Sequence, residues 1–147
     1  MYSEKITLFN LHRSSLGDMW YPHVIDCNLL IDKAAITAKY GAESKDNAIL
    51  NIRYHTIDDV VMVGEKRYLP PKEWERQTDN ELAESITFAS GEAYSFFMLG
   101  EYPDAGPITD EDFDGFFDYI KENYDFVFAV TSMAKYNAIP HFEITGK

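Results

Sequence analysis

The sequence has a single cysteine, Cys27, among 147 residues, so no disulfide bond can form within the chain. Basic residues are also scarce: 13 Lys and Arg stand against 25 Asp and Glu, which gives a formal net charge of -12. Attraction to phosphate backbones or anionic lipid surfaces is therefore opposed. No apolar run approaches the roughly 18 residues of a transmembrane helix, and the first residues lack the basic and apolar segments of a secretion signal. We expect a protein that is made in a cytoplasm and has no membrane contact.

Sequence motifs of catalysis and of nucleotide binding are missing as well. The chain contains no GxSxG, GxxxxGK[ST] or GxGxxG sequence. Its four histidines, His12, His23, His55 and His141, do not stand at the spacing of zinc ligands. On one strand, Cys27 and His23 would lie about 13 Å apart, which is too far for a nucleophile and its base. We therefore expect no catalytic residue, no cofactor and no metal, and a protein that is not an enzyme.

One acidic stretch has part of the pattern of a calcium-binding loop. Asp110, Asp112, Asp114 and Gly115 match early positions of an EF-hand loop. Lys121, however, occupies the position at which a glutamate must donate two oxygens to the metal. An acidic helix explains the stretch better, and a calcium-dependent binding protein remains a less favoured alternative.

This acidic helix is predicted for residues 109–123. Thr109 and Asp112 have the spacing of a capping box. Apolar residues recur at the intervals of one buried helix face: Phe113, Phe116, Phe117 and Ile120. Residues 101–125 hold nine acidic residues and one lysine, which accounts for -8 of the net charge of -12. Such a surface suits solvent, a basic neighbour, or DNA that must not be bound tightly.

Most of the remaining chain alternates apolar and polar residues with the period of β-strands. Strands are predicted at 6–9, from 19 to 31 and at 48–54, with a polar connection at 10–18. Hairpins are predicted for 60–63 with 67–69 around Gly64, for 85–89 with 93–99 around Gly91, and within 125–147 around Tyr136. Pro71 is predicted to start a helical turn that runs to Gln77. The fold class is therefore mainly β, barrel-like and built of antiparallel hairpins, with one acidic helix; by strict count it is α+β, in a single domain 1–147.

Residues 33–47 interrupt this regular pattern. The segment KAAITAKYGAESKDN mixes small, charged and glycine residues without a sustained period. Loops of this length are uncommon inside compact domains and usually have a function or are disordered. We therefore interpret 33–47 as a long loop or arm.

Five segments, taken in order, resemble the small head-closure proteins of long-tailed bacteriophages, also called stopper or head-tail joining proteins. They are ITLFN at 6–10, WYP at 20–22, YLPPKEW at 68–74, SGE at 90–92 and HFEITGK at 141–147. The resemblance covers nearly the whole chain, although the acidic insertion at 107–123 is longer than in the simplest members of that family. It implies a small β-barrel-like domain that assembles as a homo-oligomeric ring in the neck of the virion.

The same resemblance implies a structural role in the virion, after synthesis in the cytoplasm of the bacterial host. The ring would close the DNA-filled head and join the tail, with an adaptor or portal above it and a tail component below. Packaged DNA would pass without sequence-specific binding. Arm residues are candidates for the ring contact or the channel lining: Lys39, Tyr40, Glu43, Lys45 and Asp46. The alternatives are another neck or tail component, such as an adaptor or tail terminator, and a small enzyme.

Overall fold

The computed structural model describes residues 4–31 and 48–147. Within them the chain forms eleven β-strands, three α-helices and one 3₁₀ helix. The strands are β1 (Glu4–Ser14), β2 (Gly17–Ile31), β3 (Ala48–Arg53), β4 (His55–Ile57), β5 (Val60–Val63), β6 (Lys66–Tyr68), β7 (Ser85–Ile86), β8 (Phe96–Leu99), β9 (Ile108–Thr109), β10 (Val127–Tyr136) and β11 (His141–Gly146). The helices are α1 (Pro71–Glu75), α2 (Asp79–Leu82), the 3₁₀ helix (Asp110–Phe113) and α3 (Phe116–Asn123). The predicted mainly β fold class is confirmed.

Six strands close a circuit of antiparallel pairings in the order β1, β8, β10, β11, β3 and β2, and β2 pairs again with β1. The circuit closes because β2 is long enough to have two partners. Its residues 17–27 pair with β1, and its residues 28–31 pair with β3. Closure of this kind leaves few unpaired strand edges and gives the expected barrel-like architecture.

The two faces of β1 pack against different layers, because successive residues of a strand point to opposite sides. Ile6 and Leu8 lie in the barrel core, in the same buried cluster as Val63 of β5. Phe9 points the other way and packs against Phe116 of α3, with ring centroids 5.3 Å apart. Helix α3 and the small sheet formed by β4, β5, β6 and β7 therefore cover opposite faces of the β1–β2 ribbon.

The predicted polar connection from Asn10 to Asp18 is wrong. Strand β1 continues to Ser14, β2 begins at Gly17, and the two strands pair over their whole shared length. Asn10 is fully buried, and its side-chain amide donates to the carbonyl oxygen of Thr87 at 2.6 Å. A tertiary hydrogen bond thus satisfies a polar residue within a strand, which the local sequence does not show.

The predicted hairpin of 85–89 with 93–99 is also wrong. Strand β7 pairs in parallel with β6, whereas β8 pairs with β1 and with β10. The chain does fold back between them, since the Ser95 amide donates to the Ala89 carbonyl at 2.8 Å. Both segments are β-prone, but burial against different partners places them in different sheets.

The predicted helix 109–123 is interrupted. After the 3₁₀ helix, Asp114 adopts a left-handed conformation with φ of 52°, and α3 begins only at Phe116. Thr109 makes no side-chain capping bond. The expected buried face is nevertheless present, because Phe116 and Ile120 are buried while Phe113 and Phe117 are half-buried.

Other local predictions are confirmed. Strands β10 and β11 form the predicted hairpin near the end of the sequence, and β5 and β6 form the hairpin at Gly64, where φ is +60°. Strand β3 lies where its alternation placed it, and Pro71 is the first residue of α1. The predicted arm 33–47 lies outside the described residues.

Candidate functional site: the base of the arm and a histidine-lysine cleft

The arm leaves and rejoins the barrel at neighbouring points. Ile31 at the end of β2 and Ala48 at the start of β3 are paired across the two strands. A connection between paired antiparallel strands can be as short as two residues, whereas this one runs from 32 to 47. The fold therefore does not require its length. The five predicted arm residues lie outside the described residues: Lys39, Tyr40, Glu43, Lys45 and Asp46.

The final segment HFEITGK lies beside the base of the arm and is part of the barrel. Phe142 and Ile144 are fully buried, and Gly146 pairs with Ala48. A Cβ atom at Gly146 would lie 2.7 Å from the Phe97 ring, so only glycine allows β11 to approach that ring closely. The segment thus contributes to packing at the arm base.

The WYP and YLPPKEW segments contact each other and also serve packing. Trp74 is 1% exposed, and its indole nitrogen donates to the Ser85 carbonyl at 3.2 Å. Its ring meets that of Tyr21 edge to face, with centroids 5.8 Å apart. These two segments fix helix α1 against β2, and their aromatic residues are not exposed binding groups.

A cleft of about 800 Å³ lies between β2, the β3–β4 junction and the β5–β6 hairpin. Its charged and titratable lining residues are His23, Asp26, Arg53, Tyr54, His55, Glu65 and Lys66. The hairpin turn at Gly64 directs Lys66 toward β2, where Lys66 Nζ lies 2.6 Å from His23 Nδ1. The structure therefore brings together two residues that are 43 positions apart in the sequence.

His23 is neutral in this arrangement. It is 1% exposed, and burial, followed by the charge of Lys66, holds the pKa of its ring well below the ordinary 6.5. When the Lys66 ammonium donates to Nδ1, the ring proton lies on Nε2. Within the described part of the chain, that Nε2 has no hydrogen-bond partner. The ring thus accepts from Lys66 at Nδ1, and its one N–H donor, at Nε2, is buried without a partner among the described residues.

Lys66 is a half-buried cation that no carboxylate of the described residues pairs with. Burial lowers the pKa of its ammonium group below the ordinary 10.5. Four ion pairs join side chains of the described residues within 4.0 Å, and Lys66 belongs to none of them. Nearby Asp26 is paired instead with Lys5, at 3.0 Å. A partly desolvated cation without a counter-charge favours the binding of an anionic group.

Sequence reasoning missed this pair, although one signal was available. His23 shares the face of β2 that buries Ile25 and Cys27, so the alternation could have placed it inside. Its partner could not have been identified from local pattern. The rejected nucleophile, Cys27, is fully buried, and burial, followed by Glu4 and Asp26, raises the pKa of its thiol to about 12.

The acidic segment 101–125 lies on the outer face of the barrel. Asp110 Oδ1 accepts hydrogen bonds from the Trp20 indole at 2.8 Å and from the Phe116 amide at 2.9 Å, so this carboxylate has a structural role. Lys121 pairs with Asp118 at 3.2 Å, whereas Glu111, Asp112 and the neighbouring acids are exposed. Across residues 4–31 and 48–147, no group of three or more His, Cys, Asp or Glu side chains is arranged to hold a metal ion.

Among the helices of the described residues, none is both long and apolar enough to cross a membrane. No curated protein and no solved structure matches the chain. A family model does match it, over residues 1–147. The chain therefore belongs to this family, DUF6751, a family of unknown function.

Proposed function

We propose that the protein is a structural, non-enzymatic subunit of the phage neck, part of a head-tail connector ring that closes the DNA-filled head and joins the tail. One observation carries this proposal: the closed barrel needs only a short turn between Ile31 and Ala48, yet the sequence inserts residues 32–47 there. An insertion that the fold does not need serves an interaction outside the domain. The resemblance to head-closure proteins supports ring assembly as that interaction.

The exposed apolar residues support an assembling subunit. Leu16, at the β1–β2 turn, is 95% exposed, and Ile139, at the β10–β11 turn, is 72% exposed. Ile57, on the edge strand β4, is 54% exposed. Apolar side chains at turn tips and on an open strand edge are suited to contacts with neighbouring subunits.

The charge supports a protein that surrounds DNA without retaining it by affinity. Each phosphate that a Lys or Arg neutralises adds salt-dependent affinity for DNA. A net charge of -12, with -8 of it in residues 101–125, opposes such binding. The duplex would therefore pass a ring of these subunits without being held tightly.

Replacing residues 33–47 by a short glycine-containing turn tests the proposal. We expect the isolated domain to remain folded, because Ile31 and Ala48 stay paired. Phage that carry the shortened gene should assemble heads but lose DNA or fail to join tails, as seen by electron microscopy and by infectivity. A control with a Gly-Ser segment of the original length separates the effect of arm length from that of arm sequence.

Fully infectious particles with the shortened arm, retaining DNA and tails, would contradict the proposed role of the arm. The genomic setting tests the wider proposal. Portal and capsid genes upstream, with a tail-tube gene downstream, would support a neck protein, whereas a metabolic operon would contradict it. Antibody labelling of purified virions would distinguish the head-closure position from that of an adaptor or a tail terminator.

A further inference from the structure

The cleft beside β2 contains positive charge that the described residues do not neutralise. Lys66 donates to a neutral histidine, and Asp26 is already paired with Lys5. Glu65 is exposed at the turn and makes no ion pair with Lys66 within 4.0 Å. The half-buried Lys66 ammonium therefore offers the cleft a hydrogen-bond donor suited to a carboxylate.

The same chain carries an excess of carboxylates on another surface. Segment 101–125 has nine acidic residues and one lysine. Among the described residues, one ion pair lies within this segment, between Lys121 and Asp118. The exposed acids include Glu111, Asp112 and Glu122. An excess of like charge in one segment is repulsive, and a cation that approaches from outside would reduce that repulsion.

The two surfaces lie on opposite sides of one ribbon of the barrel. Phe9 of β1 packs against Phe116 of α3, which belongs to the acidic segment. Leu8, the residue before Phe9, lies in the same buried cluster as Val63, and Val63 belongs to the β5–β6 hairpin that carries Lys66. A closed ring is built from contacts between two different patches on each subunit. Patches of complementary charge on opposite faces provide such a head-to-tail contact.

We propose that the Lys66 cleft of one copy binds carboxylates of segment 101–125 of the neighbouring copy. This inference rests on the proposed function, since it assigns the surfaces through which the ring would close. It differs from the role of the arm, because the contact uses the described barrel and α3 alone. The bound carboxylate supplies a counter-charge that no described residue of the same chain gives Lys66 within 4.0 Å.

Carbodiimide cross-linking tests the contact directly, because it forms an amide bond between a lysine amine and a carboxylate that touch. Equal amounts of ¹⁴N- and ¹⁵N-labelled protein are mixed at high concentration and low salt, cross-linked and analysed by peptide mass spectrometry. We expect mixed-isotope cross-links between Lys66 and peptides from segment 101–125. Cross-links of a single isotope would place the contact within one chain and overturn the proposal.

Sedimentation experiments with variants measure the contribution of the charge. Lys66→Met should weaken self-association at least tenfold, whereas Lys66→Arg should retain association and lose the cross-link. Lys72→Met removes an exposed lysine outside the cleft and should have little effect. Combined Glu111→Gln, Asp112→Asn and Glu122→Gln should weaken association as Lys66→Met does. Circular dichroism confirms that each variant is folded.

Association that Lys66→Met leaves unchanged, or that occurs without the predicted cross-link, would overturn this inference while leaving a ring closed by other surfaces. A protein that stays monomeric under these conditions would also overturn it, because the proposed contact requires no other component. Neither result would contradict the connector function, which the arm replacement in phage tests separately.

Discussion

At the scale of single residues, polar side chains buried in the barrel determine which segments are held against each other. Asn10 is the main example, because its amide pairs with the backbone of Thr87 as a neighbouring strand would. Its Oδ1 accepts from the Thr87 amide at 3.1 Å, and its Nδ2 donates to the Thr87 carbonyl at 2.6 Å. This side chain holds the segment between β7 and β8 against β1.

Replacing Asn10 should therefore destabilise the fold strongly. Asn10→Ala leaves a backbone amide and a carbonyl without partners in the interior, which should lower the free energy of unfolding by about 3 kcal/mol. Asn28→Ala, at an exposed position of β2, should cost less than about 0.5 kcal/mol. Urea denaturation measures both values, and equal losses for the two variants would contradict the assigned role of Asn10.

The His23–Lys66 pair predicts a pH dependence of stability. Because the pKa of His23 in the folded protein lies below its unfolded value of 6.5, the unfolded state binds more protons as the pH falls. The stabilising effect of the neutral ring is thus present above about pH 6.5 and is lost below it, by up to about 1.4 kcal/mol per pH unit. Asp26, Arg53, His55 and Glu65 also line this cleft and contribute to the local field.

Unfolding measured between pH 7.5 and 5 checks this prediction against His23→Gln. The glutamine amide can accept from Lys66 but does not titrate in this range. The variant should lose less stability on acidification than the wild-type protein, while the exposed carboxylates contribute equally to both. Parallel pH profiles would show that His23 does not titrate differently in the folded and unfolded states.

At the scale of elements, helix α3 is held by a carboxylate that the local pattern did not identify. Thr109 and Asp112 have capping-box spacing, but Asp110 accepts the Phe116 amide at the first residue of α3 and the Trp20 indole of β2. One side chain therefore both caps the helix and attaches it to the barrel. The left-handed turn at Asp114 makes this geometry possible by separating the 3₁₀ helix from α3.

Asp110→Ala should accordingly reduce stability by about 2 kcal/mol, since it removes a helix cap and a buried indole acceptor. Asp112→Ala is the matched control and should change stability by less than about 0.5 kcal/mol, because Asp112 is exposed. Hydrogen exchange in residues 116–123 should increase only in the Asp110 variant. A larger effect at Asp112 would support the capping box instead.

At the scale of the whole molecule, the barrel fixes the two ends of the connection 32–47, at Ile31 and Ala48, but does not require its length. Strand β2 changes partner from β1 to β3 between Cys27 and Asn28, and this change closes the circuit. Residues 32–47 then connect the end of β2 at Ile31 to the start of β3 at Ala48. Because a closed barrel has few open edges, contacts between subunits of the proposed ring would depend on the predicted arm, the exposed turn tips and the charged faces.

Local patterns in the sequence determined much of the fold. Alternation located β3, β10 and β11, and the spacing of Phe116 and Ile120 identified the buried face of α3, because strand and helix periods are properties of neighbouring residues. The interrupted period predicts an arm at 33–47, which lies outside the described residues. These features depend only on which side chains of a short segment share a face.

The tertiary structure alone decided which segments became partners. The separation of β7 from β8, the continuation of β1 through Asn10 and the cap formed by Asp110 all depend on residues far apart in the chain. The His23–Lys66 cleft is of the same kind. Whether a polar residue can be buried depends on the donor or acceptor that packing brings to it, and a local pattern contains no information about that partner.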